Sequence, residues 1–217
     1  MTDTDILKPI KEVIAQYAVL NHPFYQDWNK GLLNRQVLQE YAIGYYPHVK
    51  AFPQYISRLH SFCPTEPGRR MLLRNLNDEE LGDENHPELW RRFARSLDVG
   101  DSDLEREPSQ ASRDLYSRFF SLCNESYAKG LGALYAYESQ VPEVAEVKID
   151  GLVNHYGVRD ENGLSFFRVH READVHHRRE FEEEMSHLKP EELEEARDGA
   201  REGAKAVWDF LSSFNYH

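Results

Sequence analysis

Cysteine is nearly absent. Cys63 and Cys123 are the only two in 217 residues, and they stand far apart in helical contexts. That argues against a disulfide framework and against a thiolate metal site, so both read as reduced packing residues. Long apolar runs are missing as well: the purely hydrophobic stretches span a few residues each, and no basic-then-apolar leader opens the chain. Neither a membrane span nor a secretory signal is visible, and a cytoplasmic location is expected. An excess of positive charge is the third absence. The formal net charge is -12, with acids crowded into EFEEEMSHLKPEELEEARDG. Such a chain repels a phosphate backbone, which argues against a nucleic-acid partner, and the acidic run itself reads as a solvated helix face. Alternating segments bounded by turn residues are the last thing lacking, so a sheet is not expected.

What is present is helical periodicity along most of the chain. It predicts an all-α protein in which residues 1–217 form a single domain, a bundle of roughly seven to nine helices. A first helix is expected over about 4–19, with Ile6, Ile10, Val13, Ile14, Tyr17 and Leu20 on one side. A short second helix ends near Gly31. Asn34 suits the N-cap of a long aromatic segment, within which Pro47 and Pro53 each remove a backbone donor and should bend the helix. Pro67 and Gly68 lead into RRMLLRNLNDEELG, and Pro87 suits the first turn of ENHPELWRRFARSL. Residues 99–110 read as a polar loop. From about 112 to 153 the pattern is helical again, interrupted near Gly130 and Gly132 and by Pro142; 160–163 read as a turn, and a last helix runs from Pro190 to about Phe214.

Three places in this pattern carry metal-binding residue types. In FFRVHREADVHHRREFEEEM, His170, Asp174 and His177 follow at steps of four and three, which at about 100° per residue puts them within roughly 40° on one helix face. In NDEELGDENHPELW, Glu79 and His86 lie seven apart, a spacing that returns to the same face if the helix continues, although Gly82 could interrupt it. In LGALYAYESQVPEV, Glu138 is a lone carboxylate in an apolar, aromatic stretch, where an ionised group is costly unless paired or coordinated. Each has a plain alternative: a solvated charged face for the first, a helix-capping histidine among many acids for the second, a tyrosine or arginine partner for the third. Taken together, three imidazoles and three carboxylates form a mixed nitrogen and oxygen set suited to iron or manganese, and six ligands suggest two metals.

ELGDENHPELW, ALYAYESQ and HREADVHH, in this order and spacing, resemble the haem-oxygenase-like di-metal oxidases, in particular the group named after the chlamydial protein associating with death domains. NHPFYQDWNKG and YAIGYYPHVKAFPQYIS resemble the same group, so the likeness runs over most of the chain. It implies a haem-oxygenase-like helical bundle in which Glu79, His86, Glu138, His170, Asp174 and His177 hold two metal ions, iron or iron with manganese, that use dioxygen and an external reductant. It also implies a self-sacrificing p-aminobenzoate synthase serving folate biosynthesis, with Tyr25 of HPFYQDW supplying the ring and Lys148 of EVAEVKIDG the amino nitrogen. Residue chemistry alone leaves Tyr25 as a packing aromatic and Lys148 as a surface residue of an amphipathic helix. Tyr41, Tyr45, Tyr46, Tyr135 and Tyr137 could relay an electron or could simply be core. A homodimer is expected from the superfamily. That superfamily also includes the pyrroloquinoline quinone synthase component C and the thiaminase II (TenA) proteins, which work without this metal set. Alternative readings are therefore a di-metal oxidase of an external small molecule, a metal-free cofactor-biosynthesis enzyme, and a protein-binding module.

Overall fold

A computed structural model describes residues 6–215, apart from the side chains of 172–175, and its elements are helices joined by short turns with no strand among the described residues. In chain order they are α1 (Lys8–Ala15), a 3-10 turn (Val19–Asn21), α2 (Pro23–Lys30), α3 (Arg35–Phe62), α4 (Glu66–Glu80), α5 (His86–Ser96), α6 (Asp101–Leu104), α7 (Gln110–Glu125), α8 (Tyr127–Glu138), α9 (Val141–Asn154), α10 (Glu161–Ser186) and α11 (Pro190–Leu211). Eight of these have eleven residues or more and carry the bundle.

The helix boundaries follow local chemistry. His22 accepts from the Phe24 amide and Pro23 takes the first turn of α2, which Gly31 ends at φ +68°, a left-handed conformation that favours glycine. Asn34 caps α3 by accepting from the Val37 amide, and the helix continues through both Pro47 and Pro53. Thr65 and Asp160 cap α4 and α10 in the same way, so the expected turn at 160–163 is the first turn of a 26-residue helix.

Four expectations are corrected. The first helix stops at Ala15, with the short 3-10 turn after it. The stretch 99–110 contains α6, because Val99 and Leu104 are buried and anchor it to the core. Gly130 and Gly132 interrupt nothing: the break falls at Ser126, which caps α8 from an extended conformation. The glycines serve packing instead, since a Cβ at Gly132 would strike the Ala196 carbonyl of α11, and one at Gly199 would strike the Lys129 carbonyl of α8. α8 and α11 accordingly form the most extensive helix pair in the molecule. Finally, α11 ends at Leu211, short of Phe214.

The core is strongly aromatic. Trp28, Trp90, Tyr41, Tyr46, Tyr55 and Tyr135 are among its largest fully buried side chains. None of the described helices is long and apolar enough to cross a membrane.

Candidate metal centre

Glu79 lies in the last turn of α4 and His86 is the first residue of α5, so no continuous helix joins them. The chain turns instead through Gly82, at φ +84°, and through Asn85, whose amide nitrogen donates to the Gly82 carbonyl (2.9 Å) while its oxygen caps α5. The turn returns His86 against Glu79, with Nδ1 2.6 Å from Oε2. The two residues meet as their spacing suggests, but across a turn and not along one helix face.

His170 of α10 completes the first cluster. One ligand atom each of Glu79, His86 and His170 lies within 4.8 Å of the others, and all three residues are buried. The His170 Nδ1–H donates to the Phe166 carbonyl at 2.7 Å, which leaves Nε2 as its free lone pair and fixes the ring orientation. Burial holds this imidazole well below the ordinary histidine pKa, and the neighbouring His86, Lys148 and His177 push the same way, so it is neutral and able to ligate. Its ring lies tilted against those of His86 and Phe166, with centroids 4.1 and 4.0 Å away.

Glu138 and His177 form a second group. Glu138 closes α8, is 1% exposed, and has one oxygen 3.8 Å from His177 Nδ1. Its other oxygen has no hydrogen-bond partner among the described residues. His177 turns Nε2 toward the Asp78 carboxylate at 3.1 Å, a contact that fixes the orientation of its ring. Asp78 was not anticipated; the only trace of it in the sequence is its place beside Glu79. Asp174 lies outside the described residues as far as its side chain is concerned, although α10 is helical through 170–177. A buried carboxylate oxygen with no donor, among carboxylates and imidazoles, is what a cation site requires, and this donor set fits iron or manganese.

On the far side of His170 lies a different environment. Lys148 of α9 is 5% exposed, which overturns the surface reading. Its Nζ donates to the Tyr41 hydroxyl at 2.6 Å. The ring centroids of Tyr25, Tyr41, Tyr45, Trp90 and Phe167 surround it at 5.0–5.8 Å. Burial pulls the ammonium pKa down to about 7, so much of it is free amine near neutrality. Tyr25, buried on α2, hydrogen-bonds Tyr41, and burial pushes its phenol well above the usual range. Tyr45 stacks on Tyr41 at 5.5 Å and hydrogen-bonds Tyr137, whose phenol feels the charges of Glu79 and Glu138.

Tyr25, Tyr45, Tyr137, Lys148, Phe166 and His170 border one cavity of about 40 Å³, which thus touches both environments. It has room for a few waters or a diatomic molecule. The other two tyrosines point elsewhere: Tyr46 lies against Arg91, and Tyr135 donates to Glu182.

Residues 39–210 match the family described as iron-containing redox enzymes. The chain is 44% identical to a 4-aminobenzoate synthase of Chlamydia pneumoniae over 97% of its own length and 95% of that protein's. It is 36% identical to a 4-aminobenzoate synthase of Nitrosomonas europaea, covering 99% of this chain and 93% of the relative. Among solved structures, a TenA homologue from Pseudomonas syringae superposes with a TM-score of 0.81 at 20% identity, covering 96% of this chain and 90% of that one, a likeness of fold.

Proposed function

Because the chain belongs to the iron-containing redox enzymes of haem-oxygenase-like fold, we propose that it is a 4-aminobenzoate (p-aminobenzoate) synthase that consumes its own side chains. Tyr25 supplies the aromatic ring and Lys148 the amino nitrogen. Glu79, His86, Glu138, His170, Asp174 and His177 hold two metal ions, iron or iron with manganese. When bound, these supply dioxygen activation with electrons from an external reductant.

The observation that carries the reading is the shared cavity. Tyr25 and Lys148 meet in it, with Nζ 5.8 Å from the Tyr25 ring, and His170 opens onto the same space. Each residue then has a physical task. The ring cage excludes water and keeps a large fraction of Lys148 as the nucleophilic amine. Tyr41 accepts the Lys148 hydrogen bond and touches Tyr25, so it aligns amine and ring. Tyr45 and Tyr137 continue the hydrogen-bonded phenols toward the carboxylates. The Phe166 carbonyl and Asp78 orient the His170 and His177 imidazoles of α10.

The test is isotopic. Protein grown on ring-labelled tyrosine and nitrogen-labelled lysine, loaded with iron and manganese and given ascorbate and dioxygen without added substrate, should release doubly labelled 4-aminobenzoate. Product that appears only with an added substrate, or without either label, rules out self-consumption.

A further inference from the structure

The aromatic cluster around Tyr25 does not end at the cavity. Trp28, three residues further along α2, is fully buried, with its ring centroid 6.4 Å from Tyr25 and 6.0 Å from Tyr41. On its other side it meets Tyr156 at 5.3 Å, edge to face. Tyr156 lies just beyond α9, is only half-buried, and donates its hydroxyl to the Trp28 carbonyl at 3.1 Å. The Trp28 indole is wedged against Gly151, where a Cβ would collide with Nε1, and that nitrogen has no hydrogen-bond acceptor among the described residues.

These contacts have a redox meaning because indoles and phenols are the aromatic side chains most readily oxidised by one electron. Trp90 also meets the cluster, 5.3 Å from Tyr45, but it is fully buried and its onward contacts are to Phe93, Phe166 and Phe167. That branch leads to rings that are hard to oxidise. The Trp28 branch leads to a phenol at the surface. An indole without an acceptor also keeps its proton when oxidised, so the electron hole stays mobile instead of being trapped.

We infer that Trp28 and Tyr156 form the electron inlet of the buried site, passing single electrons from a small hydrogen-atom donor such as ascorbate at the surface to oxidised phenols in the Tyr25–Tyr41 cluster. The inference rests on the proposed oxidase function, which creates those oxidised phenols. In the sequence of steps, a phenoxyl of the cluster takes one electron from Trp28 and one proton from a water in the cavity, and that water recovers its proton from solvent. Tyr156 then refills Trp28, losing one electron to it and one proton to solvent. Ascorbate restores Tyr156 by giving up one electron and one proton. The net change is one hydrogen atom moved from ascorbate to the buried phenol.

The test uses the full chain, free of metal, carrying Asn154→Cys at an exposed position beside Tyr156. Cys63 and Cys123 are buried, so the new thiol directs labelling by a ruthenium photo-oxidant. Flash oxidation should produce a tryptophan radical, followed by a buried tyrosyl radical that ascorbate reduces through Tyr156 and Trp28. With Trp28→Phe the tryptophan signal should vanish and the tyrosyl radical should stay at Tyr156, where ascorbate removes it at once. With Tyr156→Phe, which deletes one hydroxyl from a half-buried ring, the yield of both radicals should fall several-fold. A buried radical that persists under ascorbate in the labelled parent, or that forms equally in both variants, overturns the relay, as does the absence of any protein radical in the labelled parent. In metal-loaded protein both variants should bind metal normally yet consume ascorbate several-fold more slowly under dioxygen. The flash measurement needs neither metal nor product, so an inert loaded parent would sink the proposed function while the radical yields still decide whether the relay exists.

Discussion

Two buried neighbourhoods meet at His170 and Tyr137, and they handle a desolvated ionisable group in opposite ways. Around Lys148 the surroundings are five rings and one phenol oxygen, and the amine responds by approaching neutrality, with its pKa pulled down to about 7. Around Glu79, His86, His170, Glu138 and His177 the surroundings are carboxylates and imidazoles, and a Glu138 oxygen has no donor among the described residues. Burial is equally complete in both. What differs is the neighbouring chemistry: a donor among aromatic rings can shed its proton, whereas a crowd of acceptors is satisfied by a cation. One side is suited to a neutral amine, the other to a cation.

The comparison can be broken at its centre first. Tyr25→Phe keeps the ring and the packing but removes the phenol, and 4-aminobenzoate should disappear from a single-turnover assay read by mass spectrometry; undiminished product would dissociate the ring cage from the chemistry. Next in size is the second metal subsite. His177→Ala should lower the metal bound in an anaerobic titration from about two ions per chain to about one, and an unchanged count would detach Glu138 and His177 from the centre.

Lys148→Met probes the other side through stability. Its pKa is lowered from 10.5 to about 7 in the folded chain. Between those values the unfolded chain binds the extra proton, so this group makes folding more favourable as pH rises, and its penalty is complete below about pH 7. Metal-free Lys148→Met should therefore be roughly 4 kcal/mol more stable than the parent near pH 7, with the gap closing toward pH 10.5. Denaturant unfolding across that range would show parallel curves if the lysine were in fact solvated. The smallest change is at the rim: Asp78→Asn leaves every proposed ligand in place but weakens the partner of His177, and should loosen metal binding by about 10- to 100-fold.

Much of the fold was readable because its determinants are local. The Asn34 cap, the Gly31 stop, Pro87 in the first turn of α5 and the periodicity of the long aromatic segment each act within a few residues, and each appears as expected. The readings that failed depended on distant partners. Gly130 and Gly132 look like helix breakers until α11 is laid against α8, when their missing side chains become the condition for close approach. The polar loop at 99–110 became α6 because Val99 and Leu104 found the core.

For the candidate site, the sequence by itself determined which donors were available and, through the helical step, that His170 and His177 share one face of α10. Resemblance, and not residue chemistry, singled out Tyr25 and Lys148. Only the tertiary structure decided that Glu79 and His86 meet across a turn, that Asp78 backs His177, that Lys148 lies in a cage of rings, and that Trp28 links this cage to Tyr156 at the surface. The physical reason is the range of the interactions. Caps and periodicity are settled within a turn or two of one helix, while desolvation and ring contacts depend on which helices pack together, and that is a property of the whole chain.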